Sequence, residues 1–279
     1  MKIIAILNQK GGVGKTTTAV NFSAGLARVG KKIMFIDADL QANATAALNL
    51  TCKQVNDIAC DLLALLTRQC TLQQAIIARS IQYKNKSMIM DVIPATVALS
   101  GFDQIVRALP NKQLLLKQLL GEVEQMAYDY IVIDCPPSLG LMTVNALVAA
   151  DELIIPVQPE FFALQGVGQL LQTVDTIQKN FNSRLTISGV LCTRFNRRKI
   201  HNEVFNCLQD RFGKDMFATK IHENIAIAEA PSFGQTIFEY NPDSSGSYDY
   251  EMLCKEFTNR EITRHQMNIP LKTQKQMQR

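Results

Sequence analysis

Short, mostly apolar runs recur along the chain, and polar or glycine-containing segments separate them. Their length and continuous apolar character are those of strands buried on both faces of a sheet. The runs lie at residues 3–7, 32–37, 88–94, 129–134, 151–157 and 186–193. Apolar residues at helical spacing fill the intervals at 16–29 and 114–126. This alternation predicts an α/β fold, a doubly wound and mostly parallel sheet with helices on both faces.

The interval at residues 52–86 follows neither pattern for long. Apolar patches at 61–66 and 72–77 have helical character, and polar breaks separate them. We expect scaffold and interface helices in this interval and assign no chemistry to it.

The first apolar run opens into a glycine-rich segment that precedes the first helical pattern. The segment reads Lys10-Gly11-Gly12-Val13-Gly14-Lys15-Thr16. Glycines permit a tight turn in which backbone N–H groups hold phosphate oxygens at the start of a helix. Lys15 would reach the β- and γ-phosphates, and Thr16 would offer its hydroxyl to Mg2+. The strand, turn and helix together predict the nucleotide site of a P-loop NTPase.

The spacing of this segment differs from the usual one in two ways. The pattern G-x-x-x-x-G-K-[ST] would place glycine at position 9, which is Gln9. The segment also carries a second lysine, Lys10, five residues before Lys15.

Acidic residues end two of the predicted strands. Asp37 and Asp39 follow the run at 32–37, and Asp134 closes the run at 129–134 in the Walker B layout, where a carboxylate holds the water shell of Mg2+. Parallel strands bring their carboxyl ends to one edge of a sheet, where ligands bind in open α/β folds. Capping of the next helix is the alternative for Asp37 and Asp39.

Composition narrows the class of protein. The 279 residues are 47% hydrophobic and 19% charged, which suits one large globular α/β domain. No apolar run approaches the roughly 18 residues of a membrane span, and residues 8–10 interrupt the first run too early for a signal peptide. We therefore expect a cytoplasmic protein. Seven widely spaced cysteines predict reduced thiols and disfavour a clustered iron–sulfur site.

Charge is concentrated near the end of the chain. Residues 258–279 carry five basic residues and one acidic residue, which accounts for the whole net charge of +4. We therefore divide the chain into an ATPase domain at 1–257 and a basic C-terminal tail at 258–279.

The glycine-rich segment resembles the deviant Walker A loop of the ParA/MinD ATPases, and the chain as a whole is most similar to ParA proteins. Residues 37–43 resemble the family segment D-x-D-P-Q-[GA]-N, with Leu40 in place of proline. Further matches follow at 135–140, 161–166 and 228–234, so the resemblance extends from residue 1 to about residue 257.

The resemblance implies a weak, partner-stimulated ATPase with ATP and Mg2+ as cofactors. It implies that Lys10 contacts phosphate across a dimer interface, that Asp39 positions the attacking water, and that Lys10, Lys15 and Asp39 are the catalytic residues. It also implies that Thr16, Asp37 and Asp134 surround the metal. The implied nucleotide contacts are Lys10, Gly11, Gly12, Val13, Gly14, Lys15, Thr16, Thr17 and, at adenine, Asn224.

The resemblance weakens where the family binds DNA. Two arginines that the family uses for sequence-independent DNA binding are replaced by Glu223 and Ala226. An acid repels phosphates, so we expect this position to bind DNA poorly. A basic cluster can compensate, and one member, Arg198, aligns with another DNA-binding arginine of the family. The cluster, which is otherwise a solvated surface, comprises Arg194, Arg197, Arg198 and Lys199.

The resemblance favours plasmid or chromosome partitioning, in which an ATP-bound homodimer binds DNA non-specifically on the nucleoid. A ParB-like protein would then stimulate hydrolysis, and hydrolysis would reset the dimer. The alternative is MinD-like positioning of a protein cargo or of the division machinery. We expect no membrane binding, because Pro270 interrupts the tail and leaves no continuous apolar stripe.

Overall fold

The computed structural model describes residues 1–55, 58–160 and 163–268. Most of its strands are those that the apolar runs predict. The strands are β1 (Lys2–Ile6), β2 (Ile33–Asp37), β3 (Gln54–Val55), β4 (Ile58–Ala59), β5 (Ile77–Tyr83), β6 (Lys86–Ile93), β7 (Tyr130–Asp134), β8 (Glu152–Val157), β9 (Thr186–Phe195) and β10 (Met216–His222).

Helices connect the strands. They are α1 (Lys15–Arg28), α2 (Asn43–Ala47), α3 (Leu62–Leu66), α4 (Leu72–Ala75), α5 (Phe102–Ile105), α6 (Leu115–Val123), α7 (Leu141–Ala149), α8 (Ala163–Asn180), α9 (Lys199–Phe212), α10 (Ile225–Glu229), α11 (Ile237–Tyr240) and α12 (Ser245–Asn268). Short 3-10 turns occur at Val97–Gly101, Glu124–Met126, Gly213–Asp215 and Ala230–Phe233.

The sheet confirms the predicted fold class. Eight strands lie in the order β10-β9-β8-β1-β7-β2-β6-β5, and β3 and β4 form a separate ribbon. Every neighbouring pair of the large sheet is parallel except β5 with β6. Strand order reverses beside β1, so the turn after β1 lies at the crevice where such folds bind ligands.

Helices cover both faces of the sheet, as the sequence predicts. Alternate residues of β1 belong to opposite layers, because successive side chains of a strand point to opposite faces. Ile4 and Ile6 pack in the layer that contains α1 and α12. Ala5 and Leu7 pack in the layer that contains α6, α7 and α8. The two layers explain why the central strands are apolar throughout.

One expectation for the interval 52–86 is wrong, because residues 77–83 form strand β5 and not a helix. Its side chains alternate between exposed positions and partly or fully buried ones, the period of an edge strand with one covered face. β5 pairs antiparallel with β6 through a tight turn at Lys84, where φ is 51°. The apolar Ile76 and Ile77 continue the preceding helical patch, which concealed the change of period. The sequence prediction also contains neither α9 nor β10.

Helix α12 runs across the change of composition at residue 258, and its described residues extend to Asn268. Glu256 accepts hydrogen bonds of 2.8 Å from the backbone N–H groups of Ala218 and Thr219, so α12 covers the edge of β10. Glu261 forms an ion pair with Lys2 on β1. The division of the chain at 257 and 258 stays a prediction, and residues 269–279 lie outside the described part.

No helix within the described residues combines the length and the apolar character that crossing a membrane requires.

The close contact between α1 and α12 depends on a glycine. A Cβ atom added at Gly25 would lie 2.5 Å from Cys254 Sγ and 3.2 Å from Phe238 Cζ. We therefore expect Gly25→Ala to lower the free energy of unfolding by about 1–3 kcal/mol, measured by urea denaturation. Gly121 on α6 has nothing within 4 Å of an added Cβ. The control Gly121→Ala should be neutral or should stabilise by up to about 1 kcal/mol. Equal midpoints for the two variants would contradict this interpretation.

Candidate functional site

The turn between β1 and α1 has a backbone that favours glycine at two positions. Gly12 and Gly14 have φ angles of 75° and 80°, in the left-handed region. Gly14 is the N-cap of α1 and provides no side-chain hydrogen bond to the helix. Backbone N–H groups at the start of such a helix favour an anion, and the helix dipole adds to this preference.

A cavity of about 670 Å3 adjoins this turn, a volume usual for a small-molecule site. Most of the predicted nucleotide residues line it, together with Asp39. Its lining includes Gly11, Gly12, Gly14, Lys15, Thr16, Thr17, Asp39, Asn224, Ile225, Ile227 and Tyr250. The glycine turn, which is predicted to bind phosphate, and the predicted adenine contact thus belong to one cavity.

Two predicted nucleotide residues, Lys10 and Val13, are absent from the lining. Val13 is buried, and its carbonyl oxygen accepts a hydrogen bond of 2.8 Å from Thr193 Oγ1, which attaches the turn to β9. Asn224, which does line the cavity, caps α10 by accepting the Ala226 N–H at 2.8 Å.

The two lysines of the turn have different surroundings. Lys15 is 7% exposed, and its Nζ donates to the Lys10 carbonyl oxygen at 3.3 Å. Burial lowers the pKa of Lys15, and the carboxylates of Asp134 and Asp39 oppose this effect. The Lys10 side chain is 41% exposed and forms an ion pair with Glu160. Lys15 therefore faces the cavity, and Lys10 lies on the surface beside it.

The predicted acidic residues meet at one edge of the sheet. Asp37 and Asp134 are directly opposite each other on the neighbouring strands β2 and β7. Both are fully buried, and Asp39 is 5% exposed. The Asp39 charge raises the cost of ionising Asp37, and the charges of Asp37 and Asp39 raise the cost of ionising Asp134.

The Asp37 carboxylate is occupied by groups of the protein. Its Oδ2 accepts hydrogen bonds from Thr45 N at 2.8 Å and Thr45 Oγ1 at 2.7 Å, and its Oδ1 accepts the Asp39 N–H at 3.2 Å. Burial raises the pKa of Asp37 to about 6, although these hydrogen bonds oppose the rise. Thr45 lies in the first turn of α2, so the helix-capping alternative accounts for part of the role of Asp37.

Asp134 has different surroundings. Neither of its carboxylate oxygens has a hydrogen-bond partner among the described residues. Burial raises its pKa well above the ordinary value, the Asp37 charge adds to the rise, and Thr16 and Lys15 oppose it. A buried carboxylate that accepts no hydrogen bond of normal geometry is costly unless a nearby positive charge offsets it, and Lys15 offsets only part of this cost.

These residues fit a bound Mg2+ ion. Asp134 provides unpaired oxygen atoms and Thr16 a hydroxyl, and oxygen atoms are the ligands that this ion prefers. Within the described residues no three His, Cys, Asp or Glu side chains are arranged to hold a metal ion by themselves. Mg2+ usually binds through one or two protein groups together with waters and phosphates.

The four basic residues of the predicted DNA-binding cluster lie around the end of β9 and the start of α9, and all four are exposed. Arg194 Nη2 lies 4.0 Å from Glu223 Oε1. Glu223 also accepts a hydrogen bond of 3.2 Å from Asn196 Nδ2. Lys199 Nζ lies 3.6 Å from Glu203 Oε1 on the next turn of α9. Because β9 and β10 are neighbours, the acid that replaces a family arginine partly neutralises the cluster.

Sequence reasoning missed three residues near the site. Tyr250 lines the cavity, Glu160 pairs with Lys10, and Thr45 bonds Asp37. Tyr250 and Glu160 reach the site from distant segments, and no local motif marks them. Thr45 is close to Asp39 in sequence, but its contact with Asp37 depends on the turn into α2.

The fold is that of a P-loop nucleoside triphosphatase. It has a mostly parallel sheet, a glycine turn before α1 and an acid at the end of the strand that neighbours β1.

A family model described as an AAA domain matches residues 1–187. The sporulation initiation inhibitor protein Soj of Bacillus subtilis is 43% identical over 256 residues, which cover 91% of this chain and 97% of Soj. The chromosome partitioning protein ParA of Caulobacter vibrioides is 36% identical over 95% of this chain and 96% of its own length.

A solved structure is also similar to this chain. The cobyrinic acid a,c-diamide synthase of Mycobacterium smegmatis, with a bound ATP analogue and magnesium, has a TM-score of 0.77 and 27% identity. The match covers 91% of this chain and 93% of that one. The sequence matches with Soj and ParA extend over nearly the whole chain, so it belongs to the ParA/Soj family of partitioning ATPases.

Asp134 should make the stability of the nucleotide-free protein depend on pH. A carboxyl group whose pKa is higher in the folded than in the unfolded state destabilises the fold as pH rises above the unfolded value. Without nucleotide or Mg2+, we expect Asp134→Asn to be more stable than wild type at pH 7 by about 1–3 kcal/mol. This difference should shrink toward pH 4, where the folded wild type is protonated at Asp134.

Urea denaturation between pH 4 and pH 8 would measure this effect. Asp175 on α8 is exposed and paired with Lys179, so Asp175→Asn should keep the pH dependence of wild type. An Asp134→Asn protein that is less stable than wild type at pH 7 would show that this carboxylate already has a partner.

Proposed function

We propose that this chain binds and hydrolyses ATP, forms a homodimer in the ATP-bound state and acts in DNA partitioning. The observation that carries the proposal is the difference between the two lysines of one turn. Lys15 is buried at the cavity, whereas Lys10 is exposed and paired with a surface acid. An exposed cation beside a nucleotide cavity suits contact with a second subunit, which family membership also favours.

Each residue of the cavity would have a separate task. The backbone N–H groups of the turn and Lys15 would hold the phosphates. Thr16 and Asp134 would hold Mg2+, with Asp37 supporting them, and the ion when bound supplies positive charge to the phosphate oxygens. Asp39 would orient the attacking water, and Asn224 would contact adenine.

Lys10 would stabilise the dimer electrostatically. In the single subunit its ammonium group pairs with Glu160 on the surface. A triphosphate on a second subunit carries more negative charge than one carboxylate, so Lys10 would exchange Glu160 for phosphate when two subunits meet. Hydrolysis removes the γ-phosphate and with it part of this attraction, and the dimer would separate.

DNA would bind to the basic cluster at residues 194–199. Its side chains are exposed at the same edge of the sheet as the nucleotide cavity. Two clusters in a dimer would reach more phosphates than one, which raises affinity without any new interaction within either subunit. Glu223 reduces the positive charge of the cluster, so we expect weak binding that is sensitive to salt.

Family membership supports the remaining parts of the proposal. The protein would act in the cytoplasm on the nucleoid, and a ParB-like protein would stimulate its ATPase activity. The described residues offer no separate observation in favour of the alternative, the positioning of a protein cargo or of the division machinery.

Three substitutions test the ATPase cycle. Lys15→Ala should abolish binding of a fluorescent ATP analogue, because Lys15 is the buried cation of the cavity.

Lys10→Ala should bind the analogue with near wild-type affinity but stay monomeric with ATP in light scattering. Asp39→Ala should bind ATP and accumulate as a dimer, since hydrolysis would stop before separation. A Lys10→Ala protein that dimerises and hydrolyses ATP normally would exclude the contact across the interface.

DNA binding can be tested with two arginines at opposite ends of β9. Arg198 follows its carboxyl end, and Arg184, also exposed, precedes its first residue. With ATP, Arg198→Ala should weaken binding to random duplex DNA and reduce the salt slope by about 0.9 for each DNA phosphate that the arginine neutralises. Arg184→Ala should retain the wild-type slope. Equally weakened binding in both variants would indicate a diffuse effect of net charge instead of a defined surface.

A further inference from the structure

Thr45 joins the acidic residues of the site to a neighbouring strand. Thr45 is 6% exposed, and its Oγ1 lies 2.7 Å from Asp37 Oδ2 and 2.9 Å from Ala95 N. The backbone N of Thr45 also donates to Asp37 Oδ2, at 2.8 Å. A single hydroxyl group therefore connects the segment after β6 with the carboxylate at the end of β2.

The partners of this hydroxyl group fix the direction of its hydrogen bonds. The Ala95 N–H can only donate, so the Thr45 oxygen accepts there and its own proton points to Asp37. Hydrogen bonds that run in one direction through a buried chain polarise and strengthen one another. The side chain thus holds one rotamer, and Asp37 is held with it.

Asp37 in turn fixes the segment that contains Asp39. Its second oxygen, Oδ1, accepts the Asp39 N–H at 3.2 Å. Asp39 accepts the Gln41 N–H at 3.1 Å and lines the nucleotide cavity. The hydrogen bonds from Ala95 through Thr45 and Asp37 therefore help to fix where the Asp39 backbone enters the cavity, together with the backbone bond from Ala38 to Asp134.

We propose that Thr45 is a positioning residue for ATP hydrolysis, which acts on Asp39 through Asp37. This inference rests on the proposed function, since it assumes that Asp39 orients the attacking water. Removal of the hydroxyl group would free the Asp39 segment to move, and a displacement of about 1 Å in such a group can cost as much as a hundredfold in rate. Nucleotide affinity would change little, because the glycine turn and Lys15 make no hydrogen bond to Thr45 within the described part of the chain.

The test compares substitutions that differ in the hydroxyl group at similar size. Thr45→Val should lower kcat for ATP by at least about tenfold with KM within about twofold of wild type, the pattern of an interaction that acts in the transition state. Thr45→Ser, which keeps the hydroxyl group, should restore kcat to within about threefold of wild type. Thr45→Cys, with a weak S–H donor, should have a kcat between those of Thr45→Val and Thr45→Ser.

A matched control comes from a second threonine whose hydroxyl group makes a hydrogen bond. Thr67, the residue that follows α3, is partly buried and donates its hydroxyl hydrogen to the Leu63 carbonyl oxygen at 2.8 Å, away from the cavity. Thr67→Val should therefore retain the wild-type kcat. Thermal unfolding of every variant separates loss of stability from loss of positioning, and binding of a fluorescent ATP analogue measures affinity independently of turnover.

Several results would overturn the inference. They are a wild-type kcat in Thr45→Val, a loss of nucleotide affinity that matches the loss of rate, or a Thr45→Ser protein as slow as Thr45→Val. If Thr45→Val does not fold, a Thr45→Cys protein as fast as Thr45→Ser would overturn it. A wild-type protein that does not hydrolyse ATP would overturn the proposed function itself. Normal hydrolysis by both wild type and Thr45→Val would overturn the role of Thr45 alone.

Discussion

Electrostatic repulsion between buried carboxylates governs the arrangement of this site. Asp37 and Asp134 occupy paired positions on neighbouring strands at the edge of the sheet, and Asp39 follows in the next loop. Removing Asp37 and Asp134 from water raises the free energy of their charged forms, and repulsion from the neighbouring carboxylates raises it further. The two buried acids at the strand ends differ in how their charge is stabilised. Asp37 accepts hydrogen bonds from Thr45 and Asp39, whereas Asp134 has no hydrogen-bond partner among the described residues. A cation that reaches Asp134 would therefore offset the cost of burying this carboxylate.

The surface beside the cavity carries two further acid–base contacts. Lys10 pairs with Glu160, and Arg194 lies 4.0 Å from Glu223. Glu160, Arg194 and Glu223 line one shallow depression of about 380 Å3, together with Arg198. Lys10, proposed to contact the triphosphate of a second subunit, and the arginines proposed to contact DNA thus belong to a continuous charged surface. A change in the partner of Lys10 would alter the electrostatic potential at the arginines without any movement of the fold.

The sequence predicted the location of the candidate site where the determining residues are contiguous, and the roles of those residues stay predictions. The glycine turn, Lys15 and the acids at strand ends follow from a short run of residues and from the period of the strands around them. Strand β5 was missed because Ile76 and Ile77 extend an apolar patch of helical character into a segment whose period is two. The pairing of Arg194 with Glu223 was missed because it depends on the order of strands in the sheet, which no local pattern records.

Helix α12 shows why the end of the chain matters to a site near its start. Its residues Tyr250 and Cys254 pack against α1: the Tyr250 hydroxyl lies 3.4 Å from Thr18 Oγ1, and Cys254 Sγ hydrogen-bonds to the Phe22 carbonyl oxygen at 3.5 Å. Since α1 begins at Lys15, these contacts fix the helix whose first turn faces the cavity. Tyr250 also lines that cavity, so α12 supports the glycine turn and contributes to the cavity wall. A displacement of α12 would move α1 and the cavity wall together, because protein interiors are too densely packed to absorb it locally.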